Sequence, residues 1–407
     1  MNKKLILFAS LCAVLCTFNA CEEPLSQNKY EDNTKLWPAA DSIGEKVGYI
    51  NEKGEMVIPP QYKDAFFFCN GMAKVITFDD KTQFIDTKGN VVYTLSENES
   101  CDNYFYNGYL RYHKRSYAWE YGLYDRNFNP VLPFEQMTVG NMSKEGLVAT
   151  GLGYYNKKGE RVITFNADTF NIYNSTIYTY GDFCDGVAVL HLQCTKNGIS
   201  YGRVCAIDTK GEWVVDTIYY DLKSIGNGLL AYVDSTLHWG LMDTHGNKVT
   251  EPMFHEVKVF EDDDLLPVLP VGNEHGKWGY VDKTGTMRIE PKFSDCVPFH
   301  EGVAWAWNEN KEFFLIDTQG NILINFGQYV NPGTCSHNGL IGVEEIDLIN
   351  KRNVFKYIDK NNNTIYNGWT IYSWEQNEAR NFTPHLWLPS RVPSMTNNNP
   401  QNEPNEQ

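Results

Sequence analysis

Seven aspartates, Asp86, Asp125, Asp208, Asp243, Asp282, Asp317 and Asp359, are the first residues to weigh, because two facing carboxylates would suit glycoside hydrolysis. All seven occupy the same place, a polar step between two apolar runs, where a short carboxylate caps backbone N–H groups further along the turn. That turn role accounts for them without a reaction. The nine histidines are scattered: His245 and His255 share no H-E-x-x-H and no paired helical spacing, so no metal site is expected. The run Glu261-Asp262-Asp263-Asp264 lacks the alternating acids, central glycine and closing glutamate of a calcium loop and reads as a solvated loop. Neither a G-x-S-x-G elbow nor a phosphate-binding loop occurs. No catalytic residue, metal or cofactor is assigned, and the chain is read as a non-enzyme.

Cysteine and tryptophan remain. Cys12 and Cys16 fall in an N-terminal export segment and Cys21 directly after it, which leaves Cys69, Cys101, Cys184, Cys194, Cys205, Cys296 and Cys335, an odd set without C-x-x-C. They read as small buried residues, with any disulfide falling among Cys184, Cys194 and Cys205. Trp239 and Trp278 recur at one strand position and are expected in the core between units. Trp305 and Trp307, two residues apart, share a strand face and are the candidate ligand-facing aromatics, a stacking platform for a sugar if they are exposed.

The elements that must hold these residues are written most clearly in residues 275–307. Trp278 to Asp282 alternates large apolar with small or polar side chains, Lys283-Thr284-Gly285 interrupts, and Met287-Arg288-Ile289 resumes. This is a β-hairpin, with Asp282 capping a type I turn and Gly285 taking the left-handed position. Pro291 ends the second strand as a donor-complete strand, and Gly302 opens another at Val303-Ala304-Trp305. The turn glycine recurs at Gly54, Gly89, Gly159, Gly211, Gly246, Gly285 and Gly320, with Phe128 and Asn362 in its place in two weaker copies. The strand-opening glycine recurs at Gly71, Gly108, Gly186, Gly228, Gly302 and Gly339. Two landmarks in register predict an all-β fold, a tandem array of about nine three- to four-stranded units between residues 47 and 366. Packing is expected to be propeller-like, the alternative being an open β-solenoid or arc, and a closed ring would have to leave out degenerate copies because nine exceeds the usual blade number.

K-W-G-Y-V-D-K-T-G at 277–285, W-G again at Trp239-Gly240, and Y-G at Tyr121-Gly122 and Tyr201-Gly202 resemble the bacterial WG-repeat family. The resemblance is specific over residues 237–307 and weaker over 95–200, where the tryptophan is missing and an insertion spans Asn166 to Tyr180. It implies a secreted or cell-surface β-repeat protein and brings no catalytic residues. Its repeat-defining residues here are Trp239, Gly240, Trp278, Gly279, Asp282 and Gly285.

Residues 1–21 carry Lys3 and Lys4, an apolar run from Leu5 to Cys16, and Ala20 before Cys21, an export signal. Its end resembles a lipobox, with Cys21 the lipidated mature N-terminus, and Glu22-Glu23 are similar to the surface-export signal of Bacteroidota lipoproteins. Residues 22–46 read as a polar tether whose 37–40 segment docks on the first unit, 367–389 as a C-terminal cap, and 390–407 as a disordered tail. The net charge of −16 becomes −18 once Lys3 and Lys4 leave, a surface that repels phosphate backbones and excludes nucleic acid as a partner. The expected protein is exported and lipid-anchored at the outer membrane, a binding scaffold for a protein or glycan partner, with carbohydrate binding through exposed aromatics as the alternative and a hydrolase as the weakest reading.

Overall fold

The alternation just described forms strands wherever it recurs. The computed structural model describes residues 34–41 and 46–368, apart from 116–118, 137–138, 165–174, 197–198, 217, 260–264, 271–275, 328–329, 333–335 and 348–351. Every regular element among them is a β-strand, and every pairing is antiparallel. The strands fall into nine blades, over residues 37–62, 64–94, 99–136, 147–164, 175–215, 221–243, 254–293, 295–327 and 330–367. Hydrogen bonding groups them into eight sheets, because blades 6 and 7 are joined by the single pair Trp239↔Phe254.

Two kinds of turn shape each blade. Between the first and second strands, pairs such as Asn70-Gly71, Asp185-Gly186 and Glu301-Gly302 both take positive φ, the type I′ geometry that matches strand twist. Between the third and fourth, Gly285 (φ 78°) donates its N–H to Asp282 O at 2.9 Å, as the D-K-T-G reading predicts. Phe128 (φ 59°) and Asn362 (φ 65°) take the same left-handed conformation in blades 3 and 9. Phe128 is held there by its ring, which stacks on Tyr93 of blade 2 with centroids 4.0 Å apart.

The core lies in the seams. Blades 1 and 2 enclose Tyr49, Ile58, Phe68 and Ile85, blades 7 and 8 enclose Trp278, Tyr280, Cys296 and Phe314, and similar clusters fill the other seams. The array closes. A buried tyrosine two residues before the turn donates its hydroxyl to the next blade's chain, Tyr49 to Phe66 O at 2.8 Å and Tyr280 to Val297 O at 2.7 Å, and Tyr357 of blade 9 donates to Pro38 O of blade 1 at 3.0 Å. Likewise the turn glycine, where a blade has one, presses on the outermost segment of the blade before, Gly89 on Ile58, Gly320 on Ile289, and Gly54 of blade 1 on Ile365 of blade 9.

The nine-bladed array corrects three expectations. No degenerate copy is left out, since blades 3 and 9 keep the seam contacts while losing the turn glycine. The tether boundary also moves: Trp37–Ala40 is a fully buried strand of blade 1, paired with Val47–Ile50, so the repeat domain begins before residue 47. The insertion is shorter than expected, because Ser175–Tyr180 is the first strand of blade 5. Residues 1–33, with Cys21, and 369–407, with nearly all of the cap and the tail, lie outside the described residues.

Candidate functional site

The residues singled out by the repeat converge on the seams between blades. In blade 7 the register jumps from Trp278↔Phe293 to Tyr280↔Ile289, a bulge that leaves Glu290-Pro291-Lys292 standing out from the ladder. Gly279 faces it. A Cβ there would sit 2.5 Å from Ile289 O and 2.9 Å from Pro291 N, and blade 1 repeats the arrangement, with a Cβ on Gly48 only 2.2 Å from Ile58 O. The proline has no N–H to lose in the bulge, and the glycine is there because backbone fills the space a side chain would need.

The tryptophan before that glycine serves as a platform for a cation. Lys258 lies 4.3 Å from the Trp278 ring centroid and bonds Asp295 and Cys296 O at the first strand of blade 8. Lys223 lies 4.5 Å from the Trp239 ring and donates to Val257 O at the first strand of blade 7. Lys74, buried, donates to Cys101 O of blade 3 at 3.0 Å, and Arg111 to Val139 O ahead of blade 4 at 3.2 Å. Each cation thus ties one blade to the next through a charge-assisted hydrogen bond, shielded in two cases by an indole face. Sequence reading missed these cations. They follow no fixed spacing from the tryptophan, and the partner is a backbone carbonyl, which leaves no mark on residue type.

The seven aspartates behave alike. One carboxylate oxygen of each accepts backbone N–H groups two and four residues on, as Asp86 does from Lys88 and Asn90 and Asp359 from Asn361 and Asn363. The other accepts the amide of Asn90, Asn129, Asn247, Asn321 or Asn363 in five of them. At Asp282 the second oxygen takes Arg288 instead, at 2.7 Å. Burial alone would raise the Asp282 carboxyl, but hydrogen bonds from Thr284, Arg288 and Thr286 override it and hold the group at about 2. A carboxyl depressed in the folded state supports the fold above its unfolded value of about 3.9 and ceases to as pH falls toward 2. Asp282→Ala should therefore cost about 2 kcal/mol at pH 7 and much less near pH 2, measured as the difference in urea unfolding from the parent at both pH values.

The remaining candidates are placed as follows. Trp278 is buried and Trp239 partly buried in seam clusters, as expected of core tryptophans. Trp305 is 1 % exposed, packed with Phe326 and Ile341 between blades 8 and 9, which corrects its reading as a ligand-facing ring. It is buried because both faces of an inner strand meet a neighbouring blade, so Ala304 and Ala306 on the other face are buried too. Trp307 is half-buried against Phe313. Cys69, Cys101, Cys184, Cys205 and Cys296 are buried and outside any disulfide, Cys184 and Cys205 included; burial raises the Cys296 thiol to about 12. No group of three metal-binding side chains occurs among the described residues, and the acidic run at 261–264 lies outside them.

No curated protein matches the chain in sequence. Among solved structures, that of a eukaryotic initiation factor is similar over 82 % of this chain and 95 % of its own at 11 % identity and TM-score 0.55, a likeness of fold alone. That of BamB from Moraxella catarrhalis aligns over 86 % of this chain and 96 % of its own at 11 % identity and TM-score 0.32. Residues 48–80, 206–233, 239–269 and 278–311 match the WG containing repeat, each running from the strand ahead of one blade's turn glycine into the next blade, so the matched sequence unit spans a seam.

Proposed function

We propose that the protein is an exported lipoprotein, anchored through Cys21, whose WG blades form a non-catalytic scaffold for binding a partner protein. The observation that carries this reading is where the repeated polar residues are used. Among the described residues the turn aspartates cap backbone, the lysines tie seams, and five thiols are buried. A ring of repeats offers its outer surface widely while these repeated residues hold the ring.

Protease shaving of intact cells, with detection of the mature chain, tests the address. Loss of the signal from whole cells, together with release of a Cys21→Ala variant into the soluble fraction, is the expected outcome. Full protection of a membrane-bound chain would place the ring in the periplasm and overturn the surface reading. Carbohydrate binding, the second reading, no longer has Trp305 to offer.

A further inference from the structure

One end of blade 6 holds four large apolar side chains in the open, Ile218 (68 % exposed), Tyr220 (65 %), Leu237 (49 %) and Met253 (43 %). Three of them, Tyr220, Leu237 and Met253, occupy adjacent strand ends. Tyr220 donates its N–H to Val233 O, Val233 pairs with Trp239, Leu237 lies in the turn joining those two strands, and Met253 donates to Trp239 O at 2.9 Å. Neighbouring strands run about 4.8 Å apart, so Tyr220, Leu237 and Met253 form one row, with Ile218 two residues ahead of Tyr220 in the chain. This is also where the sheet continues unbroken into blade 7 through Trp239↔Phe254. Because antiparallel strands alternate direction, the row lies on the face opposite the aspartate turns and opposite the side where Thr34 leads into blade 1 beside Asn338.

Leu237 sets this row apart. Its φ of 62° is left-handed, a region that disfavours a branched apolar side chain, and no burial compensates it. The same turn in blades 2 and 8 places Asp80 (φ 59°) and Lys311 (φ 58°) there, each donating its N–H three residues back as Leu237 does to Asp234. A strained, exposed leucine where other blades carry a polar residue does nothing for the fold, and such positions gather where binding holds them. Asp234 lies in the same turn as Leu237, Glu251 two residues before Met253 and Glu256 three after it, with Lys248 bound to Glu251 at 3.2 Å. A second copy of a chain with net charge −16 would bring like charge to this acidic rim, which disfavours self-association.

We propose that the blade 6 row is a docking site for a segment of a partner protein that is apolar at its centre and basic at its flanks. The proposal rests on the scaffold reading above, and its test uses purified mature chain, so it fails or stands independently of where the protein resides in the cell. Two fluorescent peptides share a Leu-Phe-Leu centre, one flanked by lysines and the other by glutamates, and their binding is followed by anisotropy. The lysine-flanked peptide should bind at least about tenfold more tightly than the glutamate-flanked one. Leu237→Asn should weaken that binding about tenfold while raising the melting temperature, because asparagine accepts the left-handed conformation. Phe78→Asn, which removes an exposed apolar side chain on blade 2, should leave binding unchanged. Absence of binding, equal affinity for the two peptides, an unaffected Leu237→Asn variant, or an equal loss in Phe78→Asn would each overturn the proposal.

Discussion

Gly279→Ala should destabilise the fold by about 3 kcal/mol or more, whereas Gly202→Ala, further from the turn on the third strand of blade 5, should change stability by less than about 1 kcal/mol. Both glycines follow an aromatic residue inside a third strand, Trp278 and Tyr201, although Cys205 and not Gly202 holds the place of Gly279 in blade 5, so conformational entropy changes alike in both substitutions while the surroundings differ. What differs is the space. A Cβ on Gly279 would lie 2.5 Å from Ile289 O and 3.2 Å from Glu290 C, backbone atoms of a bulge that cannot rotate away. A Cβ on Gly202 would meet nothing within 4 Å. Denaturant unfolding of the two variants beside the parent measures the difference directly. Equal and small effects would mean that the bulge at Pro291 yields, and that the W-G step is not a requirement of close packing. Gly48→Ala should behave as Gly279→Ala, because its Cβ would lie 2.2 Å from Ile58 O in the same bulge of blade 1.

Trp37→Ala should cost about 3–5 kcal/mol, the usual penalty for emptying a large buried site, and should open the ring at one seam. Trp37 is fully buried, and its indole N–H donates to His337 O of blade 9 at 2.8 Å. It packs in a cluster that draws on blades 1, 2, 3 and 9, together with Leu340, Phe355 and Tyr357. Blades 1 and 9 are the first and last of the array, so no direct chain connection holds this seam if the packing fails. Hydrogen exchange is the discriminating readout. Amides of 37–62 and 330–367 should lose protection well before those of blades 5 to 7. Trp37→Phe, which keeps much of the volume and loses only the indole bond, should cost about 1–2 kcal/mol and leave the seam closed. Uniform loss of protection across all blades would instead show a ring that unfolds as a single cooperative unit.

These two residues also mark the boundary between what could be read in the sequence and what could not. Nine units, the antiparallel hairpins, the aspartate turns and even the substitutes Phe128 and Asn362 were legible, because turn chemistry is local: one carboxylate, two N–H groups within four residues, and a left-handed position three residues on. Burial of the repeated tryptophans and cysteines was legible from period and composition alone. The cation seams were not, since Lys258 reaches the carbonyl of Cys296, and nothing in residue type announces a backbone acceptor 38 residues away. Trp305 was misjudged for a related reason: a strand's own pattern tells which residues share a face, but not that a second blade covers each face. Closure itself was beyond the sequence. A repeat specifies how one unit packs on the next, and the same seam contacts serve a ring or an open arc; only the small rotation accumulated at each of nine seams, which is a tertiary quantity, brings Tyr357 within 3.0 Å of Pro38 O and makes the array a ring.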